Sequence, residues 1–280
     1  MATTRGSSVA KPKTKQDYQR IALSKIGPPG ELYRRWLVYG RYKTGKSTFL
    51  ESVPPRPDGK PNILILDAEQ GHGTKELDEA KVKVWKIFKW EDLDEAQRTI
   101  QFADLPYEWV GIDNMSRVSS MALRYVMRMG EARDLDRIPG QVEKRDYGKA
   151  GELVKGLLFN LHTLPVNLVY TAGDRFDTGQ GWQEEDDDSE SAQGKFVPDL
   201  PKGARAALNQ IVDVIGRLYV VRTRVMHPKQ KKEVEIKQRR LWLSPSDTYD
   251  TGYRSKHRLP DYLKGPTVPR LEQLIKEGKI

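Results

Sequence analysis

From Leu32 onward, short apolar runs alternate with amphipathic stretches, and this alternation predicts an α/β fold with buried parallel strands covered by helices. The predicted strands are Trp36–Tyr39, Ile63–Asp67, Val82–Ile87, Trp109–Asp113, Asn167–Ala172, Arg217–Arg224 and Val234–Leu243. The predicted helices are Ser47–Ser52, Leu93–Ala103, Ser116–Met129, Tyr147–Thr163, Arg205–Val212 and Leu271–Lys276. We therefore expect a mainly parallel, twisted sheet with helices on both faces.

The same pattern divides the chain into three parts. Residues 1–30 are rich in Ser, Thr, Lys, Gly and Pro and lack apolar periodicity, which predicts a flexible basic arm. Residues 31–265 form the predicted core, and residues 266–280 a C-terminal helix or tail. Two long polar connections, 128–146 and 174–202, are expected to be mobile loops, since long irregular segments in a compact domain are usually functional or disordered.

Composition narrows the function classes. The chain has 48 Lys and Arg against 39 Asp and Glu, a net charge of +9 that favours polyanionic partners. It contains no cysteine, which excludes disulfides, thiolate metal sites and cysteine nucleophiles. We find neither an apolar run long enough to span a membrane nor a secretory signal, so we expect a cytoplasmic protein without a membrane partner.

The charge is also segregated along the chain. Asp174–Leu200 holds nine acids and two bases, and Arg217–Arg258 holds twelve bases and four acids. The basic stretch alternates apolar and basic residues, which predicts a C-terminal β-hairpin with one buried and one basic face. The acidic run Glu184–Glu190 is open to three interpretations: a self-shielding loop, a segment that docks on a neighbour, or a solubilising insert.

One motif carries specific chemistry. Gly40–Ser47 reads G-R-Y-K-T-G-K-S and follows a predicted strand, as a phosphate-binding P-loop requires. Glycines let backbone N–H groups face the phosphates, Lys46 reaches the β- and γ-phosphates, and the Ser47 hydroxyl binds Mg²⁺. The predicted ATP-binding set is Gly40, Arg41, Tyr42, Lys43, Thr44, Gly45, Lys46, Ser47 and Thr48.

Two acids complete the predicted site. Asp113 ends an apolar strand, where it can hold Mg²⁺ with Ser47 or, alternatively, cap the following helix. Glu69 follows the strand Ile63–Asp67, and ligands of open α/β sheets gather at that edge, so Glu69 can act as general base. The alternative for Glu69 is a solvated loop acid. The predicted catalytic residues in this half of the chain are Lys46 and Glu69.

The ordered segments GRYKTGKST, LILDAEQG and WVGIDN resemble the ATPase core of RecA-type recombinases, most closely the bacteriophage Sak4-like single-strand annealing ATPases. The likeness covers Leu32–Leu263 and implies a RecA-like P-loop NTPase fold, with Glu69 catalytic and Asp113 holding Mg²⁺. It further implies that ATP binds between the subunits of a ring or filament. The partners it implies are single-stranded DNA and a single-strand-binding protein, and the location it implies is the cytoplasm of a bacterial host. By the same resemblance, Lys256 and Arg258 act on the γ-phosphate of an adjacent subunit.

The sequence departs from that family at one position. Gly173 stands where relatives carry a polar residue that senses the γ-phosphate, with Thr171 as a weak substitute. The sequence therefore does not predict tight coupling of hydrolysis to DNA binding.

Basic residues in two places are candidates for DNA contact. By resemblance, the connection 128–146 corresponds to a DNA-binding loop, and the tip of the predicted hairpin suits backbone binding without sequence readout. The alternatives are a solvated linker and a solvated hairpin. The candidates are Arg133, Arg137, Lys144, Arg145, Lys229, Lys231 and Lys232.

Together these features favour an ATP-dependent single-stranded-DNA-binding recombination or annealing protein with DNA-stimulated ATPase activity. Two alternatives share the core: a P-loop motor or loader of the helicase or packaging type, and a nucleotide-gated DNA-binding module with little turnover.

Overall fold

In the computed structural model, the described residues are 14–15, 33–178, 194–226 and 233–279. The chain divides into two units, Met1–Leu32 and Tyr33–Ile280, and the second carries the fold. The predicted arm lies almost wholly outside the described residues, as do the acidic run and the hairpin-tip lysines Lys229, Lys231 and Lys232.

The second unit alternates strands and helices as the apolar pattern predicts. Its strands are β1 Arg35–Tyr39, β2 Ile63–Asp67, β3 Lys83–Lys86, β4 Trp109–Asp113, β5 Asn167–Ala172, β6 Asp174–Asp177, β7 Lys195–Pro198, β8 Val214–Met226, β9 Glu233–Trp242, β10 Gly252–Tyr253 and β11 Tyr262–Lys264. Its helices are α1 Lys46–Glu51, α2 Trp90–Phe102, α3 Met115–Glu131, α4 Lys144–His162, α5 Lys202–Ile211 and α6 Val268–Glu277.

The main sheet has the order β11-β9-β8-β1-β5-β4-β2-β3, with β10 paired to β8. Strands β8, β1, β5, β4, β2 and β3 run parallel, β9 and β10 pair antiparallel with β8, and β11 pairs antiparallel with β9. The predicted mainly parallel α/β fold is therefore confirmed. Because β1, β2 and β4 are parallel, their carboxyl ends meet at one edge, where Asp67 is level with Asp113.

Alternate strand residues build two cores, one on each face of the sheet. Leu37 and Tyr39 point to the face covered by α2, α3, α4 and α5, and Trp36 and Val38 point to the face covered by α1 and α6. Gly111 in β4 lets α1 approach, since a Cβ there would lie 3.1 Å from the Leu50 methyl groups. Both faces are thereby covered, as a parallel sheet requires.

The predicted hairpin is present as β8 and β9, paired antiparallel from Arg217 with Trp242 to Met226 with Glu233. Its basic residues are not all on a free face. Arg217 is buried, bonded to Asp174 Oδ2 at 2.8 Å, and lies over the rings of Phe196 and Tyr249.

Both predicted long loops are shorter in the structure. Helix α3 continues to Glu131 and α4 begins at Lys144, so the irregular part of the first is 132–143. The second contains the β6–β7 pair, which sequence patterns did not predict. The segment after Tyr253, which carries Lys256 and Arg258, is irregular: β10 ends at Tyr253, and the Arg254 guanidinium donates to Gln210 O at 2.8 Å. In the part of the chain that the structure describes, no helix is both long and apolar enough to cross a membrane.

Candidate nucleotide-binding and hydrolysis site

The P-loop connects β1 to α1 at the carboxyl edge of the sheet. Gly40 and Gly45 are required by the backbone: a Cβ on Gly40 would lie 2.2 Å from Leu218 O, and Gly45 has a φ of 99°. The Lys46 Nζ donates to Gly40 O at 2.9 Å and to Arg41 O at 3.0 Å. The loop is thus closed around the amine that the motif assigns to the phosphates.

The two predicted Mg²⁺ ligands are in contact. The Ser47 Oγ lies 2.6 Å from Asp113 Oδ2, and the Thr171 hydroxyl donates to Asp113 Oδ1 at 2.6 Å. Both carboxylate oxygens of Asp113 are therefore fixed by hydroxyls from neighbouring elements. The sequence offers Thr171 as a weak substitute for a γ-phosphate sensor. In the structure Thr171 is fully buried, and its hydroxyl orients the Asp113 carboxylate.

Glu69 is held by two supports. Asp67 accepts from Glu69 N at 2.8 Å, Gly71 N at 2.7 Å and the Thr74 hydroxyl at 2.6 Å, so its carboxylate organises the loop after β2. The Asn114 Nδ2 donates to Glu69 Oε1, and Asn114 Oδ1 accepts from Arg117 N at 2.9 Å. Asn114 therefore caps α3 and restrains Glu69 with the same side chain.

Three oxygens converge on Gly73, a residue that no motif indicated. A Cβ at Gly73 would lie 3.0 Å from Ser47 Oγ, 3.1 Å from Asp113 Oδ2 and 3.1 Å from Glu69 Oε2. The predicted metal ligands and the predicted general base thus surround one point. The absence of a side chain at Gly73 keeps that point open.

A cavity of about 850 Å³ opens over these groups. It is lined by the P-loop from Tyr42 to Thr48, except Thr44, by Glu69, Asp113 and the loop residues Gln70, His72 and Gly73. A second cavity of about 310 Å³ shares Gly45 and Thr48 with it and reaches Gly265–Thr267. The pair is large enough for a nucleoside triphosphate with its phosphates on the P-loop.

Burial lowers the pKa of one residue of the site and raises the pKa of another. Desolvation lowers the pKa of Lys46, although Asp113 and Glu69 oppose the shift. Desolvation, followed by the charge of Asp113, raises the pKa of Glu69. A carboxylate with a raised pKa is a stronger base, which suits the general-base role predicted for Glu69.

The donor set suits Mg²⁺ rather than a metal held wholly by protein. Among the described residues there is no group of three His, Asp or Glu side chains that could enclose an ion. One hydroxyl and one carboxylate are what Mg²⁺ takes when substrate phosphates and waters supply its other ligands. Ser47 and Asp113 therefore fit that ion.

The basic residues predicted to contact DNA differ in their exposure and in their partners. Arg137 is buried in an ion pair with Asp146, so its guanidinium is committed to the fold. Arg145 bonds Glu143 and Asp134 at the surface, while Arg133 and Lys144 are exposed nearby.

Lys256 and Arg258 are exposed. They follow β10, which pairs with Val214 and Ile215 at the beginning of β8. Val214 is level with Trp36, near the start of β1, whereas the P-loop leaves the end of that strand. Trp36 and Tyr39 are three residues apart, which is about 10 Å along a strand.

Sequence patterns also missed Arg239, which enters the site from β9. A Cβ on Gly45 would lie 2.8 Å from Arg239 Nε, and the arginine lines both cavities. The pairing of β8 with β9 brings this guanidinium to the P-loop. The register of that pairing cannot be predicted from the sequence.

The fold and this site define a P-loop ATPase domain. A family model described as an AAA domain matches residues 32–255, and the chain belongs to that family. No curated protein matches the chain.

Two solved structures are similar in fold. One is a DnaB-like replicative helicase described with its interactions with primase, with 10% identity over 79% of this chain and 57% of the helicase, at a TM-score of 0.39. The other is a prototypical ATPase from the type III secretion system of pathogenic bacteria, with 14% identity over 66% of this chain and 51% of the ATPase, at a TM-score of 0.38. The chain spans little more than half the length of either, and at these TM-scores neither likeness says what it does.

Proposed function

We propose that this protein hydrolyses ATP and uses the nucleotide cycle to act on single-stranded DNA in recombination or annealing. The observation that carries the hydrolytic part is the convergence of Ser47 Oγ, Asp113 Oδ2 and Glu69 Oε2 on one point beside the P-loop. A metal ligand pair and a base with a raised pKa share that point.

Each residue of the site has a separate proposed role in hydrolysis. Lys46 exchanges its bonds to Gly40 O and Arg41 O for oxygens of the β- and γ-phosphates. Glu69 accepts the proton of the attacking water, while Asn114 fixes the rotamer of that carboxylate. Ser47 and Asp113 would hold Mg²⁺, and the ion would supply positive charge that offsets the charge of the phosphates.

The proposal includes assembly into a ring or filament with active sites between subunits. We assign Lys256 and Arg258 to the site of a neighbour because they are exposed and basic, and because they follow β10, which is level with the start of β1 whereas the P-loop follows its end. A cation supplied in trans offsets charge that develops on the transferred phosphoryl group. Hydrolysis would then depend on assembly.

Single-stranded DNA is the proposed partner because the chain carries a net charge of +9 and no motif for reading base sequence. The likeness to the Sak4-like annealing ATPases stays a prediction. The test is ATP turnover and particle size measured with and without an oligodeoxythymidylate. Faster turnover and larger particles with the oligonucleotide are expected, and equal values in both conditions would contradict the DNA part of the proposal.

One observation favours a second candidate, a nucleotide-gated binding module with slow turnover. The Thr171 hydroxyl is occupied by Asp113, and Gly173 has no side chain, so neither offers a polar group to a γ-phosphate. If ATP and a non-hydrolysable analogue support the same DNA binding while phosphate release is barely measurable, this candidate replaces the first. A motor or loader would instead displace a strand or translocate along DNA.

A further inference from the structure

A second groove lies beside the nucleotide site, along one face of helix α3. It has a volume of about 400 Å³ and is bounded on one side by α3 and on the other by Phe88, Lys89 and Trp90, which connect β3 to α2. We call it the α3 groove. No step of nucleotide hydrolysis uses it.

The charge of the α3 groove fits a polyanion. Arg117, Arg124 and Arg128 are seven and four residues apart, a spacing that puts all three on one helix face, and Lys89 faces them. The acid that lines the groove is Glu131, whose Oε1 already accepts from Gly140 N. Arg128 is 3.7 Å from Glu91, and the positive charge still predominates.

The floor of the α3 groove is aromatic and apolar. Phe88 is 60% exposed although it is a large apolar residue, and Trp90 packs on Tyr125 with ring centroids 6.5 Å apart. Met121 and Met127 also line the groove. Cations beside accessible aromatic rings suit unpaired nucleotides, because stacking needs a free base face and a duplex hides its base faces.

The α3 groove also touches the machinery of hydrolysis. Arg117 lines both this groove and the nucleotide cavity. Its backbone N–H donates to Asn114 Oδ1, and the other end of that side chain holds Glu69. A ligand that moves the first turn of α3 therefore acts on the restraint of the general base.

We propose that the α3 groove binds single-stranded nucleic acid, with phosphates on Arg117, Arg124 and Arg128 and a base stacked on Phe88. This inference rests on the proposed function and assigns its DNA-binding surface. Of the connection 128–146, which the sequence indicates as a candidate DNA-binding loop, the groove includes Arg128, Glu131 and Gly140, and the residues it adds include Phe88, Arg117 and Arg124. The coupling path through Asn114 gives DNA a route to stimulate hydrolysis.

The test measures binding of fluorescein-labelled dT30 by anisotropy for wild type and for the variants Phe88→Ala and Arg124→Glu. We expect each variant to weaken binding about tenfold or more, as loss of a stacked base or of a phosphate contact does. The ratio of ATP turnover with dT30 to turnover without it should fall toward one. The matched controls are Phe102→Ala and Arg98→Glu on α2, both at exposed positions away from the groove, and they should bind dT30 like wild type.

A salt titration distinguishes the loss of a phosphate contact from a general loss of protein stability. If Arg124 contacts a phosphate, Arg124→Gln lowers the slope of log K against log salt by about 0.7, whereas a merely destabilised protein keeps the wild-type slope. Unchanged affinity and slope in the groove variants, with wild type still binding dT30, would overturn the α3 groove alone.

Two further outcomes would also count against it. Loss of self-association in the groove variants at unchanged dT30 affinity would assign the surface to a second copy of this chain. Failure of the wild type to bind dT30 at all would contradict the proposed function together with this surface.

Discussion

The Ser47 hydroxyl lies 2.6 Å from Asp113 Oδ2, although the two residues are 66 positions apart in sequence. The contact exists because β1 and β4 are parallel, with β5 between them, so both deliver their following residues to one edge of the sheet. A hydroxyl and a carboxylate this close suit the Mg²⁺ site that we propose.

Removing the Ser47 hydroxyl should therefore abolish Mg²⁺-dependent chemistry while leaving the fold intact. We expect Ser47→Ala to lower ATP turnover by about two orders of magnitude, the size of effect seen when one stabilising donor is deleted from an active site. Ser120→Ala removes an exposed hydroxyl on α3 and should keep wild-type turnover. Phosphate release across a Mg²⁺ titration measures both.

Thr171 provides a test of how the carboxylate is held. Thr171→Val keeps the shape of the side chain but loses the bond to Asp113 Oδ1, so the apparent affinity for Mg²⁺ should fall about tenfold or more. Thr223→Val, at an exposed position of β8, is the control. A Thr171→Val enzyme with the wild-type Mg²⁺ requirement would show that the Thr171 bond is unimportant.

The open point at Gly73 predicts a steric effect. In Gly73→Ala the new methyl group would lie about 3 Å from three oxygens of the site, so ATP turnover should fall at least tenfold. Gly148→Ala, where nothing lies within 4 Å, should leave turnover unchanged. Equal turnover in the two variants would mean that the loop after β2 moves away from Glu69 during catalysis.

The pair Arg137–Asp146 predicts acid-dependent stability. Burial of Asp146 opposes its ionisation, but the Glu143 N–H and the Arg137 guanidinium outweigh it and hold the pKa of Asp146 below its ordinary value of 3.8. A lowered folded-state pKa stabilises the protein above the unfolded pKa, and that stability is lost as pH falls through the folded value.

Asp146→Asn should therefore lower the midpoint of thermal unfolding by several degrees at pH 7. The difference from wild type should narrow below about pH 4. Asp94→Asn, which removes an exposed partner of Arg98, should change the midpoint little. A difference that stays constant from pH 7 to pH 3 would contradict the assignment.

Assembly can be tested by mixing inactive variants. Lys46→Ala disables the nucleotide site, and the double variant Lys256→Ala/Arg258→Ala disables the contribution to a neighbour. If active sites form between subunits, mixing the two should restore part of the ATP turnover, because some interfaces combine an intact site with intact cations. Mixing Lys46→Ala with Glu69→Gln should restore nothing, since both changes affect the same side of the interface. Equal activity in the two mixtures would contradict the trans role.

The sequence predicts the parallel core well because its strands are short and mostly apolar, and because polar or turn residues mark where they end. β2, β4 and β5 begin and end where the apolar pattern predicts. The short strands β10 and β11 were not predicted, since two or three residues paired to a neighbour carry no periodicity of their own.

Some residues of the candidate site could be predicted from the sequence and others could not. Lys46, Ser47, Glu69 and Asp113 are recognisable because their chemistry is tied to local motifs at strand ends. Asn114, Gly73 and Arg239 act through contacts across the sheet, which depend on strand register and on how closely a loop approaches. Arg137 was predicted to contact DNA. In the structure its guanidinium is buried in an ion pair with Asp146, and that pairing could not be predicted from the sequence.

The most direct test of the central claim compares ATP binding with ATP turnover in Glu69→Gln. The variant keeps the P-loop, the Mg²⁺ ligands and the size of the side chain, and it loses the base. We predict ATP affinity within about twofold of wild type and turnover reduced by two orders of magnitude or more, the usual contribution of a general base. Turnover close to that of the wild type in Glu69→Gln would contradict the account.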